Sequence, residues 1–189
     1  MNMALVALIL GYLQIPFGVL GGIMLADMIR SERVRLHELA AEKKEIASND
    51  GKLKITTSGF WVQRTDLNKE AALQASRKDQ DMYVIVITDS KSTLKDMTLE
   101  QHHKLTRDHM IEKMEKGSGT TPIEATIDGH PALQDEITGT RERTNLVFLH
   151  TTVDHDDSFQ QILGWTTKSR WPKQSGELRE ITNSFHAEE

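Results

Sequence analysis

Two groups of histidines and carboxylates are the residues best suited to chemistry in this 189-residue chain. One is His150 with Asp154, His155, Asp156 and Asp157, at a polar break between two strand-like runs. Oxygen donors beside imidazole suit a divalent cation. An acidic turn is also what an exposed hairpin end uses to stay solvated, and that simpler reading is preferred. The other group is His102, His103 and His109 on one helical stretch. His102 and His109 are two turns apart, about 10.5 Å along the axis, so they do not share a metal unaided. His102 and His103 point to different faces, and the H-E-x-x-H pattern of zinc proteases is absent. No serine lies in G-x-S-x-G, and no serine–histidine–acid order stands out. Cysteine is missing altogether, which excludes disulfides, thiolate nucleophiles, Cys-ligated zinc and iron–sulfur clusters. The expectation is a protein that is not an enzyme and carries no cofactor. The alternative is a metal-dependent enzyme or cation-binding protein using His150, Asp154, His155 and Asp156.

These residues must be held by a sheet. Asn145–Val153 is rich in β-branched and aromatic types, Asp154–Ser158 breaks it with turn-forming residues, and Phe159–Thr166 alternates. That is an antiparallel hairpin. After Pro172, Leu178, Ile181 and Phe185 form one stripe of an amphipathic helix that needs a sheet to cover. Upstream, Lys52–Thr57, Ala71–Ser76, Pro122–Ile127 and Ala132–Gly139 read as strands. Met82–Thr88 reads as a strand buried on both faces. Thr98–Gln101 matches a capping box, and Leu99, His103, Thr106, Met110 and Met114 keep helical spacing until Gly117. The fold class is α+β: a mostly antiparallel sheet of six to seven strands covered by helices. Met97, Met110 and Met114 read as core filler. The tryptophans read as core or rim anchors, and a patch of Trp165, Trp171 and Phe159 on the sheet is the candidate binding surface.

The N-terminus raises the membrane question. Met1–Ala26 carries no charged side chain, and twelve of its residues are Leu, Ile, Val or Phe. Such residues contribute about −4 to −7 kcal/mol to insertion before the penalties from Gln14, Pro16 and the glycines. The expected organisation is a transmembrane helix over 1–29, a charged linker over 30–50 that reads as a solvated helix, and one domain over 51–186. Arg30, Arg33 and Arg35 follow the span, which favours a cytoplasmic C-terminal side. If the chain begins inside a longer membrane region that argument loses force, so the side is left open. A net charge of −5 gives no electrostatic reason to bind nucleic acid.

The runs MYVIVITD, TLEQHHKLTRDHM, IDGHPALQDEITG, FLHTTVDHDDSFQQILGWTTKSR and ITNSF resemble bacterial proteins of the PsbP-like superfamily over Gly51–Phe185. The most specific pieces are Gly129–Ala132, Gln160–Thr166 and Asn183–Phe185, which are turn and core positions rather than a catalytic signature. The resemblance implies an α/β/α sandwich without a shared active site. It also implies a binding or assembly module of the bacterial envelope. The partners expected are membrane lipid, through the N-terminal helix, and an unidentified protein, in a single-pass membrane setting.

Overall fold

The computed structural model describes residues 17–94 and 96–188, and the chain divides into two compact units, Met1–Glu42 and Lys43–Glu189. In the first, α1 (Phe17–Ala41) runs as one helix through the charged stretch around Arg30–Glu38. Among the described residues no helix is long and apolar enough to cross a membrane. The transmembrane helix expected over 1–29 lies largely outside the described residues.

The second unit carries two antiparallel sheets. The small one joins β1 (Lys43–Ala47), β2 (Leu53–Ser58) and β11 (His186–Ala187) in the order β1-β2-β11. The large one contains β3 (Val62–Gln63), β4 (Ala71–Arg77), β5 (Met82–Ser90), β6 (Glu115–Gly119), β7 (Ile123–Ile127), β8 (His130–Arg141), β9 (Thr144–Asp154) and β10 (Ser158–Thr167). Its order is β3-β4-β5-β10-β9-β8-β6, with β7 also paired to β8. All seven strands read from the sequence are present. Four more were not expected: β1, β3, β6 and β11. β1 falls where a charged helix was expected. Its Ile46 is buried between exposed neighbours, an alternation that dense Lys and Glu disguised.

Helices cover the two faces of the large sheet. α2 (Lys91–Leu94) is a single turn after β5. α3 (Leu99–Glu112) begins at a formed capping box, with Thr98 accepting from the Gln101 amide and the Gln101 side chain accepting from the Thr98 amide. α4 (Trp171–Asn183) carries Pro172 in its first turn, where a missing N–H costs nothing. On the α4 face, alternate residues of the strands (Val84, Val86, Leu149, Val153, Ile162) pack with Leu178, Ile181 and Phe185 into the main core. The small sheet adds Ile46, Leu53 and Ile55 to it. Burying side chains of this size stabilises by about 1.5–3 kcal/mol each. Gly164 belongs to this face because a Cβ there would meet Leu178 Cδ2 at 3.2 Å.

The turns set the register. β7 and β8 are joined by Asp128-Gly129, both at positive φ (54° and 82°), as a two-residue hairpin loop requires. β8 and β9 are joined by Glu142-Arg143, also at positive φ (50° and 67°), although neither side chain favours that region. Replacing this pair with Asn-Gly relieves the left-handed conformation. The double variant is expected to gain about 1–2 kcal/mol, read as a higher urea midpoint with an unchanged m-value.

Candidate functional site: an apolar cleft beside a buried histidine–carboxylate lock

The opposite face of the large sheet is where polar chemistry and open space meet. Strand alternation sends Asp89, Asp135, His150, Thr152, Phe159 and Gln161 to the α3 side. Asp135 lies on β8 and is fully enclosed. Its Oδ1 accepts from His150 Nδ1 at 2.9 Å, and His103 Nε2 stands 3.3 Å from the same oxygen. Its Oδ2 accepts from Arg107 Nε at 2.7 Å. Burial alone would raise the Asp135 pKa, but His103 and His150 beside it outweigh that and hold the carboxyl far below its usual range. His150, with no exposed surface, is likewise held from protonation: burial lowers its pKa despite Asp135 beside it.

An ionised Asp135 requires His150 to carry its proton on Nδ1. Nε2 then accepts from the Thr106 hydroxyl at 3.0 Å. His103 stacks on His150 with ring centroids 4.4 Å apart and bonds Thr152 Oγ1 through Nδ1 at 3.0 Å. His102 stacks on Phe159 and reaches Asp89 Oδ2 at 3.0 Å, while Gln161 donates to the same oxygen. Two successive turns of α3 are thus bolted to β5, β8 and β9 by polar bonds.

Two kinds of chemistry can be asked of this lock. Asp135–His150–Thr106 has the acid–base–hydroxyl order of an activated nucleophile. Thr106 sits mid-helix, however, where backbone amides are consumed by the helical ladder, so the donors an oxyanion hole needs are not at hand. Its hydroxyl also lies 3.1 Å from the carbonyls of both His102 and His103. The ligand atoms of His103, Asp135 and His150 lie within 4.8 Å of one another, close enough for a metal. The two rings are stacked at 23°, so a cation in the plane of one lies well out of the plane of the other. Arg107 already holds the second carboxylate oxygen. The arrangement suits a structural clamp better than a cation cage.

Beside the lock is a cleft of about 790 Å³. α3 packs over β6, β8 and β9, and Gly139 makes room for Met114 just past its end: a Cβ there would meet Met114 Cβ at 2.6 Å. The helix therefore leaves the middle of the same face, on β5 and β10, open. Ile85, Ile87, Phe148, Leu163 and Trp165 floor the cleft, and Leu105 and Met110 form its helical wall. Thr106 and Gln161 lie along it toward the lock, and Lys113 and Arg141 line it beyond the end of α3. This is a concave, mostly apolar site with a few polar groups, as ligand pockets usually are.

The residues singled out from the sequence are dispersed by this geometry. His150 joins His103 and Asp135, not the turn. Asp154 is four residues along the same strand, about 13 Å away, and pairs with Lys91 at 2.6 Å. His155 stacks on His130 at 3.8 Å and lies 3.8 Å from Asp128, and the Asp156 carbonyl faces Lys91. These groups do not converge on one cation. Nor do Trp165, Trp171 and Phe159 share a surface. Phe159 is 1% exposed. Trp171 packs against the core on the α4 face and donates to Glu136 at 3.1 Å, whereas Trp165 lines the cleft on the other. Thr106, Arg107 and Asp135 were not anticipated. The signal was present in the even-numbered face of β9, where Phe148, His150 and Thr152 follow one another opposite the His103–Thr106–Met110 stripe.

The lock has a pH signature. For both Asp135 and His150 the folded-state pKa lies below the unfolded value, so acid is taken up preferentially by the unfolded chain. The His150 contribution is complete above about pH 6.5 and is lost as pH falls below it; the Asp135 contribution is complete above about pH 3.9 and is lost below that. His102 and His155 shift in the same direction as His150. Urea midpoints are therefore expected to fall from pH 7 to pH 5, and His150→Gln, though less stable throughout, should show a shallower fall. An equally steep fall in the variant would assign the effect to the other histidines.

No protein-family model matches the chain, and no curated protein sequence matches it. Solved structures do. PsbP (CyanoP) from Synechocystis sp. PCC 6803 matches at a TM-score of 0.58 and 12% identity, covering 78% of this chain and 94% of that one. LpqN of Mycobacterium tuberculosis, described as involved in cell envelope biogenesis, matches at 0.55 and 9% identity, covering 77% and 90%. The Ran-binding protein Mog1p of Saccharomyces cerevisiae matches at 0.56 and 12% identity, covering 77% and 95%. At such identities the likeness is one of fold: this chain has the PsbP-like fold.

Proposed function

We propose that the protein is a membrane-tethered, non-enzymatic binding module of the bacterial envelope, and that the cleft between α3 and the β5–β10 face is its recognition site. The observation that carries this reading is the cleft itself. α3 stops short of a cleft floored by the buried Ile85 and Leu163 and the half-buried Ile87 and Trp165, while the polar groups beside it are spent on holding that helix in place. A site built this way binds an apolar group and offers it no reactive centre. Several proteins of the same fold support a binding role, because one is named for binding Ran and another for envelope biogenesis. The tether is the apolar segment over 1–29 with the charged stretch that follows it, and the domain begins at β1. Its partner, besides lipid, is a protein of the envelope that contacts the rim of the cleft.

Two measurements test this. The full chain is expected to stay with membranes through a carbonate wash, and a chain starting at Lys43 is expected to be released. In cells, a photo-crosslinking residue at Leu105, which is 56% exposed at the cleft wall, should give adducts that Leu163→Arg reduces at least several-fold, while the same probe at Val62 on a sheet edge should be indifferent to Leu163→Arg. Adducts from both positions that ignore Leu163→Arg would remove the cleft from the recognition role.

A further inference from the structure

We infer that the cleft takes a single-chain anionic amphiphile, a long-chain carboxylate or its like, with its tail along β5 and β10 and its head group at Lys113 and Arg141. This rests on the cleft being the recognition site and goes on to name the chemistry of its occupant.

Shape comes first. Ten of the sixteen residues lining the cleft are apolar, and its volume of about 790 Å³ falls in the range of sites that enclose small ligands. The apolar floor follows strand register. Gln161 pairs with Ile87, Leu163 with Ile85, and Trp165 with both Tyr83 and Phe148. From Gln161 to Trp165 this floor runs about 13 Å, and two more residues along β9 to Leu146 bring it to about 20 Å. A strip of that length accommodates one extended alkyl chain.

Charge settles the head group. The chain carries 28 acidic against 23 basic residues. Not one of the sixteen lining residues is acidic, whereas Lys113, Arg141 and His109 are all among them. Lys113 and Arg141 are exposed, and among the described residues neither takes part in an ion pair. Arg141 also lines a smaller cavity of about 480 Å³, together with Asp81 and Glu142. Unpaired cations bounding an apolar strip in an acidic protein select an anion with a tail. The inner end is different: Thr106 and Gln161 are hydrogen-bonded into the lock, so it offers no charge to a head group.

The test uses the full chain in its own membranes with a diazirine- and alkyne-bearing hexadecanoate as probe. Adducts are expected on the cleft walls, at Leu105, Met110 or Trp165. Dodecanoate should compete at least ten-fold better than dodecanol or dodecyltrimethylammonium. Lys113→Glu with Arg141→Glu, two exposed positions, should reduce labelling about ten-fold and remove the preference for the carboxylate. Leu163→Trp, which fills the floor without adding charge, should reduce labelling by every chain. Adducts confined to residues 1–29, or equal competition by all three head groups, would overturn the inference. If the Leu105 crosslinker still captures a protein in a Leu163-dependent way while hexadecanoate does not label the cleft, the recognition site stands and the amphiphile is excluded.

Discussion

The constraint on which the rest depends is the burial of one carboxylate. Asp135 has no exposed surface, and an enclosed charge is tolerable only when its partners are fixed around it. Those partners come from two elements: His150 from β9, and His103 and Arg107 from α3. Arg107 is the permanent cation among them, and removing it leaves the buried charge uncompensated at a cost of about 3–5 kcal/mol, so the helix has essentially one place to sit. An apolar α3 could slide across the sheet and cover the half-buried Ile87, Phe148 and Trp165. The lock forbids that, and the open cleft is what remains. Specificity of position has been obtained at the expense of apolar burial on that face.

The two faces of the large sheet therefore have different physics. Beneath α4 the packing is continuous and apolar, with Leu178 seated against Gly164 and Phe185 closing the end. Beneath α3 a polar seam and an apolar strip lie side by side. One side makes the domain stable; the other leaves a cleft beside the helix.

Most of the large sheet was legible because its strands obey simple alternation, and MYVIVIT could hardly be anything else. The capping box, the Asp128-Gly129 turn and the α4 stripe were equally plain. β1 and β6 were not, because both are strands made of helix formers or glycines that exist only by pairing with β2 and β8. The site was harder still. His150 was noticed for its neighbours in sequence, Asp154–Asp157, yet its neighbours in space are two residues of a helix far upstream and one of the preceding strand. Sequence proximity favours the turn, whereas alternation favours the face, and at His150 only the second is physical. The Trp165–Trp171 pair failed for the same reason, since the chain turns the corner into α4 between them.

β10 is made late but sits in the middle. It lies between β5 and β9, so during synthesis β5 emerges with an apolar edge that has no partner on that side until some seventy residues later. The three consecutive hairpins from β7 to β10 can zip locally, but joining them to β4–β5 is a long-range event, and β11 on β2 comes later again. A ribosome stalled before Thr167 would present a half-sheet with an open seam, the sort of intermediate that chaperones recognise. Cellular yield of this domain should thus be governed by how quickly its last quarter is translated.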